Sequence, residues 1–182
     1  MHNYSVKKPA DLSEEEIQLI LQTWDVDEWK EMAEHAFREK FKHSEFHLLT
    51  GSSSNLLSVA RINFKFKVSV GEKEYEIAEL VGFVTVEILK GYGKVLLGKI
   101  AENLKGRNVE AIGFCKKRTS PYYESVGLKV FHEKVKHLRE KKNDQWFTPT
   151  EDDDIVALTL EDHTIEIFQS LSDERPAYLF FE

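Results

Sequence analysis

Apolar residues first recur at helical spacing. Ile17, Ile20, Leu21 and Trp24 follow Ser13 and Glu16, whose separation makes a capping box, so a helix is expected just after Ser13. A second helix is expected from near Asp27, with Trp29, Met32, Ala33, Ala36 and Phe37 on one face. Then the period shortens. "FHLLTG" and "NLLSVARINFKFKVSV" read as strands, and within the second Ile62, Phe64 and Phe66 alternate with Asn63, Lys65 and Lys67 as in a half-buried strand. "GEKE" is a hairpin turn into the strand "YEIAELVGFVTV".

After Val86 the helical period returns, with Val95, Leu96, Leu97, Ile100, Ala101 and Leu104 as an apolar stripe that "KGRN" closes. "VEAIGFC" is a short buried strand. Ser120 and Pro121 read as N-cap and first residue of a short helix, "PYYES", which Gly127 stops. "LKVF" is a further strand, "HEKVKHLREKKND" a long exposed connection, and "DIVALTL" and "TIEIF" two last strands. Two helices, an antiparallel meander, then strand–helix–strand–helix–strand describe an α/β (α+β) chain with a mixed sheet.

At 182 residues, 41% hydrophobic and 31% charged, the chain is expected to be one soluble globular domain spanning 1–182. No stretch has the apolar length of a membrane span, and the first residues lack the apolar core of a signal peptide, so a cytoplasmic location is expected. One cysteine, Cys115, excludes an intrachain disulfide, and no Cys/His spacing suggests a metal site. The net charge of −7 is unevenly spread: residues 86–143 carry 14 Lys/Arg against 6 Asp/Glu, and residues 144–182 carry one Arg against 11 acids. Either this is scattered solvated charge, or a basic middle serves an anionic cofactor and acidic flanks a cationic substrate. No nucleic-acid partner is expected, because the aromatics are not interleaved with the lysines. A homodimer is compatible with the sequence.

Three stretches could carry chemistry, and each has a plain structural reading beside it. In "ILKGYGKVLLGKI", Gly91 and Gly93 flank the start, near Tyr92, of a helix whose free N–H groups could bind an anion, with Lys90 and Lys94 adding charge; the same glycines could make only a turn. In "SPYYESVGL" a tyrosine could donate a proton to a leaving group, or the pair could simply pack. Glu79 lies in "IAELVGFV", where desolvation would raise its pKa toward that of a useful base; a structural ion pair is the alternative. Cys115, at the end of an apolar strand with no histidine placed to activate it, reads as a buried packing residue.

Strand, "GYGKVLL", helix, strand and "PYYESVGL", in that order, resemble the GNAT superfamily of N-acetyltransferases. That family's R/Q-x-x-G-x-G/A motif holds the pyrophosphate of acetyl-coenzyme A, and its F-Y-x-x-x-G-F pattern is similar to Tyr122, Tyr123, Gly127 and Leu128 here. The resemblance implies a mixed, largely antiparallel central sheet flanked by helices. It implies acetyl-CoA as co-substrate, held by Phe83, Val84, Thr85, Lys90, Gly91, Tyr92, Gly93 and Lys94, and no metal. Tyr123 takes the place of the general acid and Glu79 that of the base. Ile88 stands where the family has Arg or Gln. With "TPTEDDDIVALTL" and the ending "YLFFE", the chain looks most like aminoglycoside 2′-N-acetyltransferases. Asp152, Asp153, Asp154 and Glu182 then become candidates for holding a cationic amine. An acyltransferase using a longer acyl donor, or a non-catalytic binding module of the same fold, are the alternatives.

Overall fold

The computed structural model describes residues 2–52, 55–142, 145–149 and 152–181. Along the chain run β1 (Asn3–Lys7), α1 (Glu14–Trp24), α2 (Glu34–Lys40), β2 (Ser44–Thr50), β3 (Leu56–Asn63), β4 (Phe66–Val70), β5 (Lys73–Tyr75), β6 (Ala78–Thr85) and α3 (Tyr92–Gly106). Then come β7 (Ala111–Lys116), α4 (Ser120–Ser125), β8 (Lys129–Phe131), β9 (Leu138–Lys142), β10 (Gln145–Phe147), β11 (Asp153–Thr159), α5 (Asp162–Gln169) and β12 (Ala177–Phe181). The strands form two mixed sheets, the α/β architecture that the sequence pattern implies. The chain divides into two compact units, residues 1–63 with 81–102 and residues 64–80 with 103–182, so β6 and α3 each contribute to both.

In the first unit the strand order is β1-β2-β3-β6. The capping box forms as expected: the Glu16 N–H donates to Ser13 Oγ at 3.2 Å, and the Ser13 N–H donates to Glu16 Oε2 at 2.9 Å. These bonds satisfy two donors that a helix start otherwise leaves open. α1 then buries Ile17, Ile20 and Leu21 in a core with Phe37, Phe41, Phe46 and Leu48. The helix expected near Asp27 is only a 3-10 turn, Asp27–Trp29, and α2 begins at Glu34. Trp29, Met32 and Phe37 still pack on the same core, whereas Ala33 of the expected face is exposed.

Trp24, at the end of α1, fixes the course of β6. Its indole N–H donates to the Gly82 carbonyl at 2.7 Å, and a Cβ built on Gly82 would meet the indole at 2.8 Å. Gly82 also has φ +65°, a backbone region that side chains disfavour. Further along β6, the Ser58 hydroxyl donates to the Val84 carbonyl at 2.8 Å.

In the second unit the first residues of β6 lie parallel to β7 (Ala78 opposite Ala111, Glu79 opposite Ile112, Leu80 opposite Gly113), and the order continues β7-β11-β8. A five-stranded sheet, β10-β9-β12-β4-β5, belongs to this unit, with β12 parallel to β9 and antiparallel to β4. Phe66, Val68, Ile112, Phe131, Leu138, Ile155, Phe168 and Leu179 share its core. On β10, Trp146 is exposed and stands edge-on to Tyr178 and Phe180, at 4.8 and 5.6 Å.

Three expectations are corrected here. "RINFKFKV" is not one strand: β3 ends at Asn63, Phe64 is exposed at the bend, and β4 starts at Phe66. "TIEIF" is helical, within α5, because Thr164 and Phe168, four residues apart, are the positions that bury. The charged run after Phe131 is not a connection; it contains β9, with Val135 and Leu138 buried beneath its charges. β1 and β12 were not anticipated as strands.

Replacing Gly82 with Ala is expected to cost about 1–3 kcal/mol, from positive φ and overpacking against Trp24 together. Urea unfolding measures this; an unchanged midpoint would contradict the close approach.

Candidate functional site

The loop after β6 lies in the first unit. Its backbone turns through two positive-φ residues, Leu89 (φ +65°) and Gly91 (φ +79°), and α3 begins at Tyr92 as the sequence predicts. The Gly91 carbonyl accepts from Val95 N at 3.1 Å, closing the first turn. A Cβ on Gly91 would meet nothing, so glycine is needed there for conformation rather than space. Lys90 and Lys94 are exposed, no acidic residue lies in the first turn, and Gly93 is buried. Ile88 is 82% exposed, so its side chain packs on little. The Tyr92 ring stands edge-on to His2 at 5.2 Å. Phe83, Val84 and Thr85 are half-buried along the end of β6, and Thr85 Oγ1 is 3.1 Å from Ser58 Oγ. A loop with these amides, two lysines and no carboxylate in the helix's first turn fits a phosphate-bearing group.

In the second unit Glu79 is 8% exposed on β6 and lines a cavity of about 380 Å³. Glu140 and Asp153 line the same cavity, with the rings of Phe114 and Phe181 and the side chains of Val135 and Leu179. Glu140 faces it because it lies opposite Leu179 in the β9–β12 pair, and partners across a ladder share a face. No Lys, Arg or His lines this cavity among the described residues. Asp153 also meets Lys116 Nζ at 2.8 Å. Three acids and two aromatic rings in one recess suit a cation with an apolar body.

α4 carries the tyrosine pair, whose rings are 5.4 Å apart and near-perpendicular. Tyr123 is half-buried and Tyr122 exposed. Burial pushes the Tyr123 phenol up to about 12, with Cys115 and Tyr122 adding to the effect. It therefore keeps its proton throughout neutral pH, as a proton donor must. Gly127, at φ +89°, ends the helix, and Leu128 N donates to the Tyr123 carbonyl at 3.1 Å.

Ser120 is not the N-cap. Thr119 takes that position, and the Ser120 hydroxyl donates instead to Asp154 Oδ2 at 2.7 Å. Asp154 is 1% exposed and also faces His132 Nδ1 at 2.9 Å and the Glu133 N–H at 3.1 Å. Burial works against its charge, yet Ser120, His132 and the Glu133 N–H together hold the carboxyl below the usual aspartate range. The three consecutive aspartates thus separate: Asp152 is exposed, Asp153 lines the cavity, and Asp154 anchors α4. Glu182 lies outside the described residues. Cys115 is buried 3.4 Å from Ser120 Oγ, and burial pushes its thiol up, which leaves a poor nucleophile. Glu140 and His132 had no sequence motif to announce them, and the strand alternation of Leu138 and Glu140 was hidden inside a charged run.

No protein-family model matches the chain, and no curated protein matches it in sequence. Solved structures do match in fold. A GNAT family N-acetyltransferase from Escherichia coli, determined in complex with CoA, is 11% identical with a TM-score of 0.62, over 100% of this chain and 89% of that one. An acyl-CoA N-acyltransferase from Pseudomonas aeruginosa is 14% identical with a TM-score of 0.58, over 86% and 99%. An N-acetyltransferase from Staphylococcus aureus is 10% identical with a TM-score of 0.56, over 86% and 96%. The chain has the GNAT acetyltransferase fold.

Tyr123 is expected to ionise near pH 12 in an alkaline ultraviolet titration, and Tyr123→Phe to remove that step. Its folded pKa lies above the ordinary 10.0, so the native state holds the extra proton and stability falls as pH rises past 10. Ionisation of every tyrosine near 10 would contradict the burial argument.

Proposed function

We propose that the protein is an acyl-CoA-dependent N-acyltransferase, with acetyl-CoA as donor and a small cationic amine, such as an amino sugar or aminoglycoside, as acceptor. The observation that carries this reading is the acid- and phenyl-lined cavity that includes Glu79, in a chain with the GNAT fold. The donor's phosphates would rest on the Lys90–Lys94 turn, through the amides of Gly91, Tyr92 and Gly93. Phe83, Val84 and Thr85 would offer backbone groups to its pantetheine arm. Bound acyl-CoA supplies the thioester carbonyl at which the amine attacks.

The chain's own residues then handle protons and charge. Glu140 and Asp153 attract the ammonium form of the acceptor, and the Phe114 and Phe181 rings shield its carbon body. Glu79 accepts the amine's proton, which exposes the lone pair for attack. A C–N bond forms as the C–S bond breaks, Tyr123 gives its phenolic proton to the departing sulfur, and the second proton shed by the nitrogen restores the phenol by way of solvent. Cys115 takes no part, and no covalent enzyme intermediate or metal is invoked. Asp152 is a rim contact at most, and Asp154 acts on the tyrosine helix rather than on the acceptor.

A second reading is favoured by one residue. Ile88 replaces the family's Arg or Gln and carries no charge toward a donor, which suits a non-catalytic module of the same fold or a differently gripped, longer acyl donor.

Incubation with acetyl-CoA and an amine panel, followed by free thiol detection, tests the proposal, and calorimetry with CoA separates the two readings. Thiol release dependent on amine is expected; its absence together with absent CoA binding would sink the enzyme reading, and CoA binding without turnover would favour the module. Tyr123→Phe is expected to lower kcat by about 100-fold or more at unchanged donor affinity. Glu140→Gln is expected to raise the amine KM about tenfold while sparing the donor KM.

A further inference from the structure

The tyrosine helix is tied down by a histidine. His132, just after β8, sets Nδ1 2.9 Å from Asp154 Oδ2 and Nε2 2.9 Å from Glu124 Oε1. Asp154 belongs to β11 and Glu124 to α4, so one imidazole spans the strand and the helix that carries Tyr123. Asp154 holds the same helix at its other end through Ser120. Both ring nitrogens face carboxylate oxygens, and only the imidazolium has two N–H groups to give. A neutral ring would turn a lone pair toward one of the two carboxylates.

We propose that His132, as the imidazolium, is a positioning residue for Tyr123: its clasp on Asp154 and Glu124 fixes α4 and thereby the phenol. The proposal rests on the reading of Tyr123 as proton donor for its catalytic meaning, but the coupling between the two residues stands or falls separately.

The charges around His132 agree with this. From α4 it faces Glu124, and from β11 it faces Asp154, beside Asp153 with its partner Lys116. Next to it in sequence, Glu133 pairs with Lys117 at 2.7 Å and with Lys136 at 3.8 Å, so those cations are engaged. Glu124 first, then Asp154, raises the His132 pKa above its usual 6.5. The sign follows: a raised folded pKa means that the clasp is complete below 6.5 and is lost as pH climbs through the raised value. At the acid end the depressed Asp154 keeps its anion until pH falls through its own lowered pKa. The clasp is therefore complete at pH values just below 6.5 and opens as pH climbs through the raised His132 value.

Two measurements test it. In the full chain with ring-labelled histidine and tyrosine, NMR resonances of Tyr123 are expected to shift with the same midpoint as the His132 ring, and to lose that shift in Glu124→Gln. Tyr123 signals that stay fixed while His132 titrates would overturn the coupling, whatever the activity. In steady-state kinetics with acetyl-CoA and the best amine, His132→Ala is expected to lower kcat by about 10- to 100-fold with donor KM unchanged. The ratio of parent to variant kcat should be largest at low pH and shrink as pH passes the His132 midpoint. A ratio constant with pH would make His132 merely structural. If His132→Ala does not fold, Glu124→Gln, at an exposed carboxylate, gives the same pH signature with a smaller loss. A Tyr123→Phe enzyme of full activity would remove the proton-donor role and overturn the positioning claim, even with the NMR coupling observed.

Discussion

Everything in the first unit that could bind a donor depends on where β6 goes after Leu80, and the Trp24–Gly82 contact sets that. A single indole does two things there. It hydrogen-bonds the Gly82 carbonyl, and it occupies the space that any side chain at residue 82 would need. The strand must therefore pass Trp24 with a left-handed residue. That residue fixes the direction in which Phe83, Val84 and Thr85 leave and from which the loop to α3 starts. The aromatic cluster of Trp29, Phe37, Phe41 and Phe46 holds Trp24 in turn, with the Arg61 guanidinium 4.9 Å from the centre of the Phe41 ring. An aromatic packing core thus sets the path of the backbone that leads into the α3 loop.

In the second unit the corresponding constraint is polar. Asp154 is a buried carboxylate with three donors or partners, and such a group destabilises the fold when any partner is removed. Its neighbour Asp153 alternates to the opposite face of β11 and reaches the cavity. The strand's two-residue period therefore assigns adjacent, chemically identical residues to different tasks. Glu79 and Glu140, distant in sequence, arrive at that cavity from different sheets, Glu79 on β6 beside β7 and Glu140 on β9 beside β12.

Local signals were legible and long-range ones were not. α1 announced itself through Ser13 and Glu16, and α3 through its glycines and apolar stripe, because the interactions that start those helices lie within one turn. "TIEIF" satisfies both a two-residue and a four-residue period. The Thr164 hydroxyl's bond to Glu110, 54 positions away, belongs to the helical choice and is invisible locally. β12 owes its existence to pairing with β4 and β9, partners far earlier in the chain. Alternation through "RINFKFKV" continues across a bend, so the passage from β3 in one sheet to β4 in the other left no break in the pattern. The candidate tyrosine and Glu79 were legible as motif positions, whereas Glu140 and His132 became visible only when the strands that carry them were brought together.

The edge-on stack of Trp146 on Tyr178 and Phe180 has an optical consequence. Of the chain's three tryptophans, Trp24 and Trp29 are partly buried against the first unit's core and Trp146 sits exposed in the second. Each unit therefore carries its own intrinsic fluorophore, one pair sheltered and one residue open to quenchers. Emission from the sheltered pair follows the packing around β6, and quenching of Trp146 follows the edge of the sheet that bears Glu140. The two cores can be watched independently in one unmodified chain.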